Sequence, residues 1–338
     1  MAQNPVSAPP LQWLLAGDPA IRWQVRRDLM DASAGAVARE QSRVATEGWG
    51  ARLLERQDRE GTWAGRMYSP KWISTTYTML LLRDLGLPPQ NSQAQRACAL
   101  LLDRGLYRDG GIGFGWGRSE TCVTGIVLSI LSWFHFEDER LDTIADHLLE
   151  QQMADGGWNC QRPSGATHSS MNTTILALEG LLYYEQHRAR TARRLGTVRA
   201  AQRRGREFLL AHRLFRSHRT GAVIKRDFLR LAFPPQWHFD ILRALDYFRA
   251  AGASRDRRLT EAIEVLESKR RRDGRWTLEH RYRARYWFQM ESIRRPSRWN
   301  TLRALRVLRW WDECLAPRRS RRPATASPRR ADLPAEPG

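Results

Sequence analysis

Asp240 stands in the run Trp237-His238-Phe239-Asp240, just ahead of an apolar helical stretch. A carboxyl group with an imidazole two residues away has the parts for general acid–base work. A carboxylate at a helix start also serves simply to meet the first backbone N–H groups. Glu179 sits among Leu176, Leu178, Leu181 and Leu182. Buried, it would have a raised pKa and act as an acid; facing outward, it would be an ordinary solvated carboxylate. Trp72, Tyr77, Trp116, Trp133, Trp237 and Trp299 fall near loops or the starts of apolar helices. Such rings line an apolar cavity and stabilise a carbocation, or they fill the core of a Trp-rich protein. The loop Gly110–Arg118 is rich in glycine, but it lacks the GxxxxGK[ST] context and does not join strand to helix, so it is predicted as a rim loop rather than a phosphate loop.

The elements that must position these residues are helical. Gln152-Met153-Ala154-Asp155-Gly156-Gly157-Trp158 lies between two apolar helical patterns, Leu141, Ile144, Ala145, Leu148, Leu149 before it and Met171, Ile175, Leu178, Leu182 after it. Gln57 to Trp63 has the same Gln-x3-Gly-x-Trp spacing, and Arg270 to Trp276 repeats it with Arg for Gln. Asp109-Gly110-Gly111 and Thr220-Gly221 are degenerate copies. The glycines at 61, 110, 156, 221 and 274 are 49, 46, 65 and 53 residues apart, the period of helical-hairpin arrays. After each turn an apolar helix is predicted, beginning near Trp72, Thr121, His168, Trp237 and Trp299. With Leu11–Asp31 that makes six. Five others lie between them, at roughly 36–57, 92–105, 138–153, 200–214 and 256–271. Ser119 and Ser297 are predicted N-caps.

An open solenoid needs polar end caps. The last helix carries Leu302, Leu305, Leu308, Trp310 and Trp311 and would be buried only by closing onto the N-terminal helix. The expectation is an all-α chain: a single α/α toroid over residues 11–315 with six inner and about five outer helices, a flexible arm at 1–10, and a disordered Pro/Arg-rich tail at 316–338.

The net charge is +20, with only Lys71, Lys225 and Lys269 as lysines. The arginines are scattered over many helices, as codon bias would scatter them, whereas a nucleic-acid footprint is clustered; nucleic-acid binding is the weakest of the readings. The tail contributes six arginines against Asp332 and Glu336, so the folded part stays basic. No apolar run is long enough to span a bilayer, and peripheral membrane contact stays open. Cys98, Cys122, Cys160 and Cys314 are far apart without a CxxC pair. With an N-terminus that lacks a signal-like h-region, this reads as a reducing, cytoplasmic protein.

The Gln-x3-Gly-x-Trp turns resemble the QW motif of the squalene and terpenoid cyclases. The helix-turn-loop-helix period is similar to the wider superfamily that includes the protein prenyltransferase β subunits. The resemblance covers about residues 11–315, with two turns matching in full and three weakly. It implies a toroid whose bore holds an apolar or isoprenoid molecule, and it makes Gln57, Trp63, Gln152 and Trp158 structural. The Asp-x-Asp-Asp acid of class II cyclases is absent, as is an Asp-Asp-x-x-Asp magnesium motif. Prenyltransferase β subunits hold zinc with Asp-x-Cys at one inner-helix start and a His at a later one. By that resemblance Glu120, Cys122, Cys160 and His168 become candidate ligands, with Glu in place of the family's Asp, and zinc is the metal such a set suits. No other cofactor is implied. The expected function is a cyclase-like or prenyltransferase-like protein handling an isoprenoid, with Asp240, His238 and Glu179 as candidate acids or bases and Trp72, Tyr77, Trp237 and Trp299 as cavity aromatics. The alternative is a non-catalytic toroid that binds an apolar ligand or a protein.

Overall fold

The computed structural model describes residues 9–115, 117–188 and 194–313. Residues 1–8 of the predicted arm, the predicted tail 316–338, Trp116 and Cys314 lie outside the described residues. The fold is all-α. Its helices are α1 (Pro9–Leu15), α2 (Pro19–Asp28), α3 (Ala34–Ser42), α4 (Gly48–Leu54), α5 (Thr75–Leu85), α6 (Ser92–Gly105), α7 (Thr121–Trp133), α8 (Arg140–Glu150), α9 (Met171–Arg188), α10 (Leu195–Ala211), α11 (Ile241–Ala250), α12 (Thr260–Ser268) and α13 (Arg298–Glu313). A two-residue ribbon, β1 (Trp276–Thr277) with β2 (Pro296–Ser297), is antiparallel.

Six helices form an inner ring. The Trp23 Nε1 of α2 donates to the Leu85 carbonyl at the end of α5, 2.8 Å away. Arg83 of α5 donates to Ser129 of α7. Helices α7 and α9 touch backbone to backbone: a Cβ on Gly125 would lie 2.6 Å from the Leu176 carbonyl oxygen. Arg243 of α11 pairs with Glu179 of α9 at 2.7 Å. Arg306 of α13 reaches Asp246 of α11 on one side and Asp28 of α2, at 3.0 Å, on the other. That last contact closes the ring. Helices α4, α6, α8, α10 and α12 alternate with these in the chain and pack outside them.

The turns show why the repeat recurs. The indole N–H of Trp63 donates to Leu53 O, that of Trp158 to Leu148 O and that of Trp276 to Leu266 O, at 2.7, 2.7 and 2.8 Å. The backbone N–H of each tryptophan donates to a threonine hydroxyl in the first turn of the next inner helix, Thr75, Thr174 or Thr301, at 3.0 Å in all three. Ile112 takes the tryptophan position in the degenerate copy and keeps the same bond, to Thr124 at 2.9 Å. Gln57 and Gln152 each bridge the turn glycine carbonyl and the next outer helix: Gln57 to Gly61 O and Gln93 O, Gln152 to Gly156 O and Ala201 O. The turn glycine has φ between +71° and +92° at all five copies, a conformation only glycine adopts freely.

Some boundaries differ from the sequence expectation. Leu11–Asp31 is two helices, because Asp18 caps α2 by accepting from Ala20 N and Pro19 opens it. The stretch 36–57 is broken by a 3-10 turn at Arg43–Ala45 and by Gly48 at φ 67°. Ser297 caps α13, accepting from Asn300 N at 3.0 Å. Ser119 does not cap α7; its hydroxyl is bonded to Asp109 instead, at 2.6 Å. Three inner helices begin three or four residues later than predicted, at Thr75, Met171 and Ile241. Among the described residues no helix is long and apolar enough to cross a membrane.

Candidate functional site

The two ends of the ring are chemically different. At the N-terminal ends of the inner helices the His238 ring is stacked between Trp237, 3.7 Å away, and Tyr282, 3.4 Å away, with Trp72 edge-on at 5.9 Å. Trp72 in turn meets Tyr77 edge-on at 4.7 Å. Three of the four predicted cavity aromatics therefore come together here, as a packed cluster. A segment the sequence did not reveal completes it. Residues 278–295 leave β1, cross the ring and return to β2. Trp72 Nε1 donates to Tyr282 O at 3.3 Å, and Trp287 Nε1 donates to Thr78 Oγ1 at 3.1 Å.

The candidate acids and bases do not form a catalytic pair. Asp240 is fully buried and caps α11, accepting from Arg243 N at 2.7 Å. Its second oxygen has no hydrogen-bond partner among the described residues. Burial pushes its carboxyl up, against the pull of Arg303 and Arg243. Burial pushes the His238 ring down to about 3, aided by the charges of Arg243 and Lys71, so it is neutral near pH 7. Glu179 is neither a raised-pKa acid nor a solvated carboxylate. It lies between Arg243, at 2.7 Å from both carboxylate oxygens, and Arg83, at 3.5 Å. Burial pushes its carboxyl up, but Arg243, Arg83 and Arg303 outweigh that and hold it below its ordinary value.

The candidate metal ligands divide. The thiols of Cys122, at the start of α7, and Cys160, in the loop before α9, lie beside each other with Glu120 nearby. That contact with Cys122, strengthened by Thr173, lowers the Cys160 thiol to about 6. Burial raises the Glu120 carboxyl. His168 is elsewhere. It is exposed, bonded to Thr167 Oγ1 at 2.8 Å, and it lines a cleft with His212 and His218. Asn172 accepts from Phe239 N at 2.8 Å and ties α9 to the segment before α11. Among the described residues no group of three or more His, Cys, Asp or Glu side chains is placed to hold a metal ion. A zinc site needs at least three protein ligands, so the residues present do not fit zinc.

The cavity of the ring runs from Arg243 and Trp299, near the starts of α11 and α13, to the C-terminal ends of α2, α5 and α7, and measures about 330 Å³. It is not the apolar hollow the sequence suggested. Six guanidiniums line it (Arg27, Arg83, Arg243, Arg249, Arg303, Arg306) against four carboxylates (Asp28, Asp84, Glu179, Asp246), leaving two positive charges in excess. Each carboxylate is already matched. Asp246 meets Arg249 at 2.9 Å, Arg303 at 3.7 Å and Arg306; Asp28 meets Arg306 at 3.0 Å; Asp84 meets Arg83 at 2.7 Å. Burial works against ionised Asp246, but its three arginines hold it well below the usual carboxylate range. Trp299, the fourth predicted cavity aromatic, stands in the first turn of α13 and lines this cavity. It stacks on Phe233 at 4.0 Å, and its Nε1 has no partner among the described residues.

No protein-family profile matches the chain, and no curated protein does. Among solved structures, a protein from Actinoplanes is 18% identical at a TM-score of 0.47, over 91% of this chain and 100% of that one. The type II terpene cyclase MstE from Scytonema, solved with its product merosterolic acid A, is 14% identical at a TM-score of 0.33, over 82% and 97%. Its complex with the substrate geranylgeranyl dihydroxybenzoate gives 14% and 0.32, over 82% and 96%. All three TM-scores lie below 0.5, and the family of this chain rests on none of them.

Proposed function

We propose that this protein binds a small molecule through an anionic group, a phosphate, diphosphate or carboxylate, in the charged cavity of its ring. One observation carries the reading: the lining holds more guanidiniums than carboxylates, and every carboxylate is already engaged. Two of the guanidiniums make only one hydrogen bond each. Among the described residues Arg249 commits only its Nε, to Asp246, and Arg303 hydrogen-bonds only through Nη1, to Ala232 O at 3.2 Å. A guanidinium carries five N–H donors, and planar forks of this kind suit phosphate and carboxylate oxygens. Trp299 Nε1 is a further donor on the same wall.

The isoprenoid reading is retained only in this form. A hydrocarbon packed against these side chains would strip water from charged groups without replacing its hydrogen bonds, which is costly. At about 330 Å³ the cavity is also at the small end of the roughly 300–1,000 Å³ of ligand sites. It would seat the head of a prenyl diphosphate and leave the chain at the mouth. Titration calorimetry with inorganic diphosphate, farnesyl diphosphate and farnesol tests this. Both anions are expected to bind, more weakly as salt rises, and farnesol is not. Arg249→Met, at the less buried of the two spare guanidiniums, should weaken the anions by tenfold or more, for a charge-assisted bond contributing about 1.5–3 kcal/mol. Farnesol binding as tightly as its diphosphate, or no anion binding at all, overturns the proposal.

A further inference from the structure

The thiol pair has no part in the cavity, yet its placement is specific. Cys122 stands in the first turn of α7, one turn before Gly125, where α7 and α9 touch backbone to backbone. Cys160 is held against the facing turn of α9 by its own backbone N–H, which donates to Thr173 Oγ1 at 3.3 Å. The helix packing sets the two thiols beside each other, both residues are half-buried, and neither is in a disulfide. Cys98, by contrast, is completely buried. Two thiols 38 positions apart in sequence, brought together by rigid helix packing and with neither residue fully buried, are arranged to react with each other.

We propose that Cys122 and Cys160 form a reversible disulfide on exposure to a peroxide, covalently tying the loop after α8 to the start of α7. One sulfur, as thiolate, attacks a peroxide oxygen. The O–O bond breaks, and the departing oxygen leaves as water after taking a proton. The resulting sulfenic acid is then attacked by the second sulfur, the S–O bond breaks, and a second water leaves. Two thiols lose two electrons and one peroxide becomes two waters. A small dithiol reverses the step by exchange, becoming a cyclic disulfide itself.

The test uses the full-length protein, treated with stoichiometric hydrogen peroxide at low protein concentration and digested with trypsin. Cys122 and Cys160 fall in different tryptic peptides, 119–140 and 141–188. The expected result is a cross-linked pair of these peptides two mass units below their sum, with two fewer titratable thiols in the denatured protein. Dithiothreitol should reverse both. Amide exchange in 159–170 should slow in the oxidised protein. The proposal fails if the two cysteines are oxidised to separate sulfinic acids. It fails equally if they stay reduced while other thiols react, or if they react only after a chelator has removed a bound metal.

Discussion

Replacing Glu179 by Gln keeps the shape of the side chain and removes one negative charge from between two guanidiniums, each only 4% exposed. Arg243 loses its ion pair but keeps the Gln236 and His238 carbonyls, both at 2.8 Å. Arg83 keeps Asp84 and Ser129. Breaking a buried pair by removing one partner costs about 3–5 kcal/mol. The surviving acceptors and the amide oxygen of glutamine put the expected loss at the low end, about 3 kcal/mol. For a chain of this size about 2 °C accompanies each kcal/mol, so the midpoint should fall by about 6 °C at pH 7, read by calorimetry or urea unfolding. The pH dependence follows from the lowered carboxyl of Glu179. Its contribution is present above the ordinary value of 4.5 and is lost as pH falls through the lower native value. Wild type and variant should therefore converge in stability below pH 4.5. A loss under about 1 kcal/mol at pH 7, or a gap that stays constant on acidification, would refute the buried network as drawn.

Thr174→Val and Thr301→Val each orphan a buried tryptophan N–H in the same geometry, so urea unfolding should show similar losses of about 1–3 kcal/mol at both repeats. Gly125→Ala forces a methyl to 2.6 Å from a backbone oxygen and should destabilise by about 1–3 kcal/mol, whereas Gly196→Ala on α10 meets nothing within 4 Å and should be neutral or stabilising in the same assay. His238 is held neutral with its pKa lowered to about 3 from 6.5. The unfolded chain takes up its proton first as pH falls below 6.5, so stability drops between pH 6.5 and about 3. His238→Phe, which keeps the stack, should flatten that slope, and an unchanged slope would contradict the burial of the ring.

Much of the fold was legible because the repeat is local. Helical periodicity and the Gly-x-Trp spacing lie within a single hairpin, and the glycine needs its positive φ whatever the rest of the chain does. The helix interruptions at Asp18 and Gly48 were misjudged because apolar periodicity continues across them. Glu179 was misread because its partners are 64 and 96 residues away. The segment 278–295 carries no period of its own, and its aromatic contacts reach back more than two hundred residues, to Trp72 and Thr78.

The amino-acid order by itself determined the all-α class, the alternation of helices and the places where each hairpin turns, since these depend on contacts within about fifty residues. It also named Cys122 and Cys160, though not that they meet without His168. Only the closed ring decided that the bore is lined with charge. Each of these arginines and carboxylates is, taken in sequence, indistinguishable from a solvated residue of its helix. Their identity as a network exists only once five inner helices face one another across a common space, and there every guanidinium must find its acid or stand ready for a ligand's.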